Sequence, residues 1–261
     1  MTVKITGTLT NPDFPYICYN NLVKSATITV SSEATGFEGT NTQNPQTWNY
    51  WQPTAVTATI DYTIASTSMN YCGIAAHNMG TNGNTVTIQY SNQDSPETFT
   101  TIDTQTPTDD SIILFLFNSV ASTKFRVQIS GGTVPNIGNI FFGQRLEAER
   151  GIYGGHTPIT LNQMTTIRPN KSEGGHFLGR SIIRTGASTT VELKNLTAAW
   201  VRASFKPFIT DAISNPFFFA WHPTTYTAEV AYGWVNEDIS VQNNGKAGLM
   251  DTSFTIMGIL E

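Results

Sequence analysis

Hydrolysis of a glycosidic bond needs two carboxyl groups about 5–10 Å apart, one to protonate the leaving oxygen and one to attack or activate water. Glu147, Glu149, Glu173, Glu229, Glu237, Asp238 and Asp251 supply carboxylates, but no two of them share a context that marks an acid–base couple. Metal chemistry would need three or four converging ligands. The histidines are His77, His156, His176 and His222, and no HxxxH or CxxC spacing accompanies them. His156 and His176 each follow a Gly pair, a place where a side chain can reach a neighbouring subunit, so they read as structural or interfacial. Ser172 and Ser181 lack the Gly-x-Ser-x-Gly elbow of a serine hydrolase. Gly131-Gly132 is not followed by the Gly-Lys-Ser/Thr of a phosphate loop. Cys18 and Cys72 lie in apolar, strand-like surroundings and read as buried thiols. These residues point to a non-enzyme without a cofactor.

Aromatic side chains offer a different chemistry. Trp48, Tyr50 and Trp51 surround Asn49. Exposed, their flat rings could stack on the C–H faces of a sugar while Asn49 supplies hydrogen bonds. Buried, they would be core; Trp51 is assigned to the core, and both readings stay open for Trp48 and Tyr50. A second concentration runs Phe217-Phe218-Phe219-Ala220-Trp221-His222, then Tyr226, Tyr232 and Trp234. Strand alternation sends Phe217, Phe219 and Trp221 to one face and Phe218 to the other. Both faces are therefore apolar, which suits a strand between a helix and a second sheet, or a subunit interface. Phe217, Phe218, Trp221, Tyr232 and Trp234 are expected to divide between core and interface, with Arg180, Arg184 and Arg202 at the interface edge.

The elements that must position these residues are mostly strands. Only 13% of the 261 residues are charged, against about 25% in an average domain, and Thr, Asn, Ser and Gly fill the gap. Alternating segments at Ala26–Ser31, Thr57–Ile64 and Thr85–Tyr90 and the apolar runs Tyr71–Ala76, Ile112–Phe117 and Ile137–Phe142 predict a β-sandwich or jelly roll. The polar stretch Ser91–Pro96 predicts a turn. Val201, Phe205, Phe208, Ile209 and Ala212 follow helical spacing, which predicts a helix near 196–213, capped by Asn195 or Thr197 and kinked or broken at Pro207. Strands are expected around it at Thr160–Ile167, Ser188–Leu193, Phe217–Trp221, Glu229–Val235 and Thr252–Ile259. Charge and glycine concentrate at 143–157, so a division is placed there, with domains at 1–145 and 146–261. A net charge of −5 without a basic run argues against a nucleic-acid groove. Neither a signal-peptide core nor a membrane span is found, so synthesis and folding are expected in a reducing cytoplasm, without membrane insertion.

Four segments, in order, carry a resemblance across residues 20–142: Ala26-Thr27-Ile28-Thr29-Val30-Ser31-Ser32-Glu33, Thr47-Trp48-Asn49-Tyr50-Trp51, Tyr71-Cys72-Gly73-Ile74-Ala75-Ala76-His77-Asn78 and Lys124-Phe125-Arg126-Val127-Gln128-Ile129. Together they resemble a discoidin-type, galactose-binding-like domain. That family implies an eight-stranded jelly roll whose loops at one end often bind sugars, lipids or proteins. Trp48, Asn49, Tyr50, His77 and Asn78 are the candidate ligand residues at that end. Tyr153-Gly154-Gly155-His156, Ser172-Glu173-Gly174-Gly175-His176-Phe177-Leu178-Gly179-Arg180-Ser181, the aromatic block and Gly233-Trp234-Val235-Asn236-Glu237-Asp238-Ile239 resemble tail proteins of long-tailed phages. Distal tail proteins usually carry the ring-forming domain first, and here the order is reversed. The fold expected is mostly β: an N-terminal galactose-binding-like jelly roll plus a C-terminal β-sandwich-like domain with one helix. The resemblance implies a structural virion protein at the tail tip or baseplate, joined to tail tube, hub or fibres, forming a homo-oligomeric ring and possessing a possible host-surface glycan as ligand. The alternatives are a stand-alone carbohydrate-binding protein and a virion-borne glycan hydrolase.

Overall fold

The computed structural model describes residues 2–92, 96–152, 154–245 and 248–259. Gln93, Asp94 and Ser95 of the expected turn, and Tyr153, lie outside them. The first half contributes β1 (Thr2–Thr6), β2 (Tyr16–Cys18), β3 (Thr27–Val30), β4 (Ala58–His77), β5 (Thr85–Ser91), β6 (Phe99–Gln105), β7 (Ile113–Ser130) and β8 (Ile137–Gly143). The second contributes β9 (Leu146–Glu147), β10 (Gln163–Lys171), β11 (Phe177–Thr197), β12 (Phe217–Ala220), β13 (Val230–Val235), β14 (Val241–Asn243) and β15 (Leu249–Ile259).

The first half is a jelly roll built on two long strands. β4 and β7 run 20 and 18 residues, where a strand of about 5–6 is usual. Their mutual register shifts between Thr63 and Thr67 and again between Met69 and Tyr71, and such irregularities bend a strand. Each strand therefore serves two layers. The opening of β4 and the end of β7 join β3, β5 and β6 in an outer layer; the end of β4 and the opening of β7 join β8 and β1 in an inner one. The segments Thr57–Ile64 and Tyr71–Ala76, read from sequence as separate strands, are two parts of β4. Ile60, Tyr62, Cys72, Ile74, Phe115 and Phe142 are among the residues that fill the space between the layers.

The second sheet runs β10-β11-β15-β13-β12-β2-β9, with β14 on β15. β2, from the far side of the expected division at 145, completes it by pairing with both β12 and β9. Its two faces meet different partners. Phe217 and Phe219 pack with Phe205, Phe208 and Ile256 under the helix. Phe218, Ala220, Val230 and Tyr232 pack on Tyr71, Leu114, Leu116 and Phe141 of the inner jelly-roll layer. The body is thus four layers: outer sheet, inner sheet, second sheet, helix. Apolar runs at 71–76, 112–117 and 217–220 follow directly, because these strands are buried on both faces.

The helical run spans 198–212. Thr197 caps it, accepting from Trp200 N at 3.3 Å, while the Glu149 carboxylate accepts from Thr197 N at 2.6 Å and Thr197 Oγ1 at 2.7 Å. Pro207 does not break it. A proline ring crowds the carbonyl four residues back, and a π turn over Val201–Phe205 immediately ahead of it changes the hydrogen-bond ladder there.

One element leaves the body. Among the described residues, β11 pairs only with β10 from Phe177 to Gly186, and from Ala187 onward it pairs with β15. The resulting two-stranded arm reaches about 30 Å from Ala187 to Phe177. Phe177 is 69% exposed, Leu178 65%, Ile182 62% and Ile183 65%. The register shift at Thr166/Ile167 leaves Ile183 without a partner across the ladder.

Candidate functional site

Gly36, at φ +86°, sits at the tip of a turn closed by Phe37 N donating to Ala34 O at 2.9 Å. Glu38 and Glu33 accept from Gly36 N and Gly39 N, so both carboxylates are committed to holding the loop. The turn lays Phe37 flat against Tyr50, with ring centroids 4.7 Å apart and planes 10° off parallel. Both rings remain half-buried. Asn41 donates to Tyr50 O at 3.0 Å and receives Asn49 Nδ2 at 2.9 Å. A ring pair edged by two amides is a platform of the kind that can stack on an apolar sugar face and hydrogen-bond its hydroxyls.

The five candidate ligand residues separate into three groups. Asn49 and Tyr50 belong to this platform. Asn78 braces it from below: its Oδ1 accepts from Asn136 N at 2.7 Å, and Asn136 Oδ1 accepts from Gln52 Nε2 at 2.9 Å. His77 is buried, and its Nδ1 accepts from Met79 N at 3.3 Å. Burial moves its pKa down to about 4, against partial compensation from Ser111 and Asp110. Ala76 takes a left-handed φ of 56°, rare without glycine, yet the β4–β8 register runs unbroken from Ala75–Asn139 to His77–Ile137. His77 therefore continues the face that carries Tyr71 and Ala75 into the core, which is why it points inward instead of toward a ligand. Trp51 is core, donating to Ser32 O at 3.1 Å.

Trp48 turns the other way, 75% exposed. It joins Pro45, Ile213, Trp234, Val235 and Ile259 around a groove of about 440 Å³ on the seam between the halves. Tyr232 OH donates to Pro45 O at 2.8 Å in its wall. Ile213, 63% exposed, escaped sequence reading because the helical stripe ends one residue earlier. The exposed arm residues also escaped. The signal was available: Ile182 and Ile183 are adjacent apolar residues between Arg180 and Arg184 in a strand with no run of core residues around them.

The interface candidates divide as well. Phe217, Phe218 and Tyr232 are buried inside the chain, because each face of their strands already has a partner layer. Of the set expected to divide between core and interface, these three lie in the core and are not available as interface residues. Trp221 is half-buried, stacked on Tyr226 at 5.2 Å and hydrogen-bonded to Glu229. Trp234 keeps 40% of its surface. Arg180 lies exposed on the arm and Arg202 exposed on the helix, donating to Ala198 O at 2.8 Å. His156 packs against Trp221 and contacts Thr190 O, with burial lowering its pKa. Among the described residues no three His, Cys, Asp or Glu groups converge as a metal site would require, and Cys18 and Cys72 are free and buried.

No family model matches the chain. No protein of curated function matches it. Solved structures similar to it include chitosan-binding module 1 of a chitosanase/glucanase from Paenibacillus sp. IK-5, at 22% identity, covering 47% of this chain and 98% of that one with a TM-score of 0.41. The Clostridium perfringens module CpGH89CBM32-5, in complex with GalNAc-beta-1,3-galactose, is 16% identical over 48% of this chain and 99% of its own, with a TM-score of 0.41. A GH29 fucosidase of Ruminococcus gnavus is 19% identical over 50% of this chain but only 27% of its own, with a TM-score of 0.42.

Proposed function

We propose that the protein is a structural subunit that builds a multi-copy assembly through its second half and displays the jelly roll outward. The arm carries this reading. A two-stranded hairpin is marginal in water on its own, and one that holds Phe177, Leu178, Ile182 and Ile183 in solvent is built for burial elsewhere. Arm and host body together make a repeating interface, as symmetric assemblies require. The setting proposed is the tail tip or baseplate of a long-tailed phage, in contact with tail tube, hub or fibres. What supports that setting is the resemblance noted above, whose Ser172–Ser181 segment forms the tip of the arm. Sedimentation over a wide concentration series tests the reading. Wild type is expected to associate, and Phe177→Ser with Leu178→Ser to stay monomeric with an unchanged melt. A wild type that remains monomeric throughout would remove the reading.

A second reading, glycan binding at the jelly-roll loops, is favoured by the parallel Phe37–Tyr50 pair beside Asn41 and Asn49. Tyr50→Ala is expected to weaken retention on immobilised host-surface glycan at least tenfold, about 1.4 kcal/mol, with avidity over many copies masking part of the loss in an assembled form. Glycan binding unchanged in Tyr50→Ala would place the site elsewhere.

A further inference from the structure

The arm cannot bury its own tip. Its root lies beside Trp234, Met257 and Ile259, where Met164 and Arg184 line a second depression. Its apolar end lies about 30 Å further out, held there by pairing that continues from β10 through β11 into β15. Folding back would break that ladder. The seam groove, at the same time, leaves Trp48, Ile213 and Trp234 exposed by 75%, 63% and 40%.

Charge tells the two surfaces apart. Residues 163–186 hold Arg168, Lys171, Arg180 and Arg184 against the single carboxylate Glu173, a net +3, so the remainder of a chain of net charge −5 carries −8. From the seam groove the exposed face of the second sheet continues past Trp234 and Met257 to Asn236, Glu237 and Asp238, which line a further depression. An apolar strip with an acidic end matches an apolar arm with basic flanks.

We infer that the arm of one copy seats in the seam groove of the next, its Phe177, Leu178 and Ile182 covering Trp48, Ile213 and Trp234 and its arginines lying toward Glu237 and Asp238. This rests on the assembly reading and adds to it the surface that receives the arm. The receiving surface draws on both halves of the chain, since Trp48 comes from the jelly roll and Ile213 and Trp234 from the second half. Arm and groove are different patches, so the contact is heterologous, and it propagates into a closed ring or an open filament instead of stopping at a pair.

Complementation tests it. An arm variant (Phe177→Ser with Leu178→Ser) keeps its groove; a groove variant (Trp48→Ser with Ile213→Ser) keeps its arm. All four side chains are more than 60% exposed, so circular dichroism melts should match wild type. Each variant alone is expected to associate roughly a hundredfold more weakly than wild type, as loss of two anchors implies. Mixed in equal amounts they should form two-chain complexes and nothing larger, because one intact arm meets one intact groove and the series ends. A groove variant that assembles as wild type does, while the arm variant does not, would overturn the inference and leave the assembly reading standing. Complexes larger than two chains in the mixture would also overturn it. A monomeric wild type would overturn both.

Discussion

Phe218→Ala should be among the most damaging single substitutions in the chain, lowering stability by about 3–5 kcal/mol. The ring is fully buried on the seam. It stands edge-on to Phe141 at 5.3 Å and tilted against Tyr232 at 5.0 Å. Below it is Gly73, where a Cβ would come within 2.5 Å of the ring, so the glycine is the socket into which Phe218 fits. Truncating the ring opens a cavity lined by both halves, and neither half can collapse into it without disturbing its own sheet. The wild type is expected to melt in a single transition, and the variant in a lower and broader one that resolves toward two. Gly73→Ala supplies the control. Alone it should destabilise, because the added methyl meets a ring wedged on every side. Combined with Phe218→Ala it should cost little more than Phe218→Ala does, since the methyl then enters vacated space; contacting residues couple in this way. Additive losses in the double variant would show that the two residues do not share the seam as described.

That seam also explains what was and was not legible in the residues themselves. Strands with one wet face announced themselves by alternation, as in Thr27–Val30 and Thr85–Ser91. Strands buried on both faces announced themselves by unbroken apolar runs, as in Ile113–Phe117 and Phe217–Ala220. The helix followed from spacing, and capping chemistry narrowed its start to Asn195 or Thr197, of which Thr197 is the cap. Tertiary pairing was out of reach. Nothing local says that Tyr16–Cys18 will cross to the second sheet, or that residues 58–77 are one bent strand and not two, because a bulge is a property of the pair and not of either strand.

The candidate site was legible only as a neighbourhood. Trp48, Asn49, Tyr50 and Trp51 are consecutive, yet they end in a groove, a platform and a core. A turn at Thr47-Trp48 parts Trp48 from the residues after it, while a composition argument treats all four as one cluster. His77 fell to a related limit: it shares the face of β4 that carries Tyr71 and Ala75 into the core, and which face another layer will cover leaves no mark in a residue type. The arm was missed for the opposite reason. Its adjacent Ile182 and Ile183 between Arg180 and Arg184 were a visible signal, but what makes them unusual is that, among the described residues, no layer lies beneath them.

Acidification provides the second large effect. His77 is buried beneath the loop that carries Asp109, Asp110 and Ser111, and its pKa in the folded protein falls to about 4 from an ordinary 6.5, with burial as the leading cause. Asp110 and Asp109 face it and favour the charged ring, but they do not overcome the burial. The unfolded chain therefore takes up a proton at this residue below pH 6.5 while the folded one does not until about pH 4. Stability is full above the higher value and is lost as pH falls through that window, by about 3 kcal/mol in total. His156, also shifted down by burial, adds a loss of the same sign. The Asp110 carboxyl, kept below its ordinary range by hydrogen bonds from Thr81 against the burial that would raise it, stays ionised through most of this window and blurs the trend little. Thermal melts across it should show a steady decline in the wild type. In His77→Asn, where the amide oxygen stands in for Nδ1 as acceptor for Met79 N and no charge can form, the decline should shrink to the part owed to His156 and, at the acid end, to Glu97, held low by Lys124, whatever the variant's stability at neutral pH. A slope unchanged by His77→Asn would mean that the buried ring is not what couples this fold to acid.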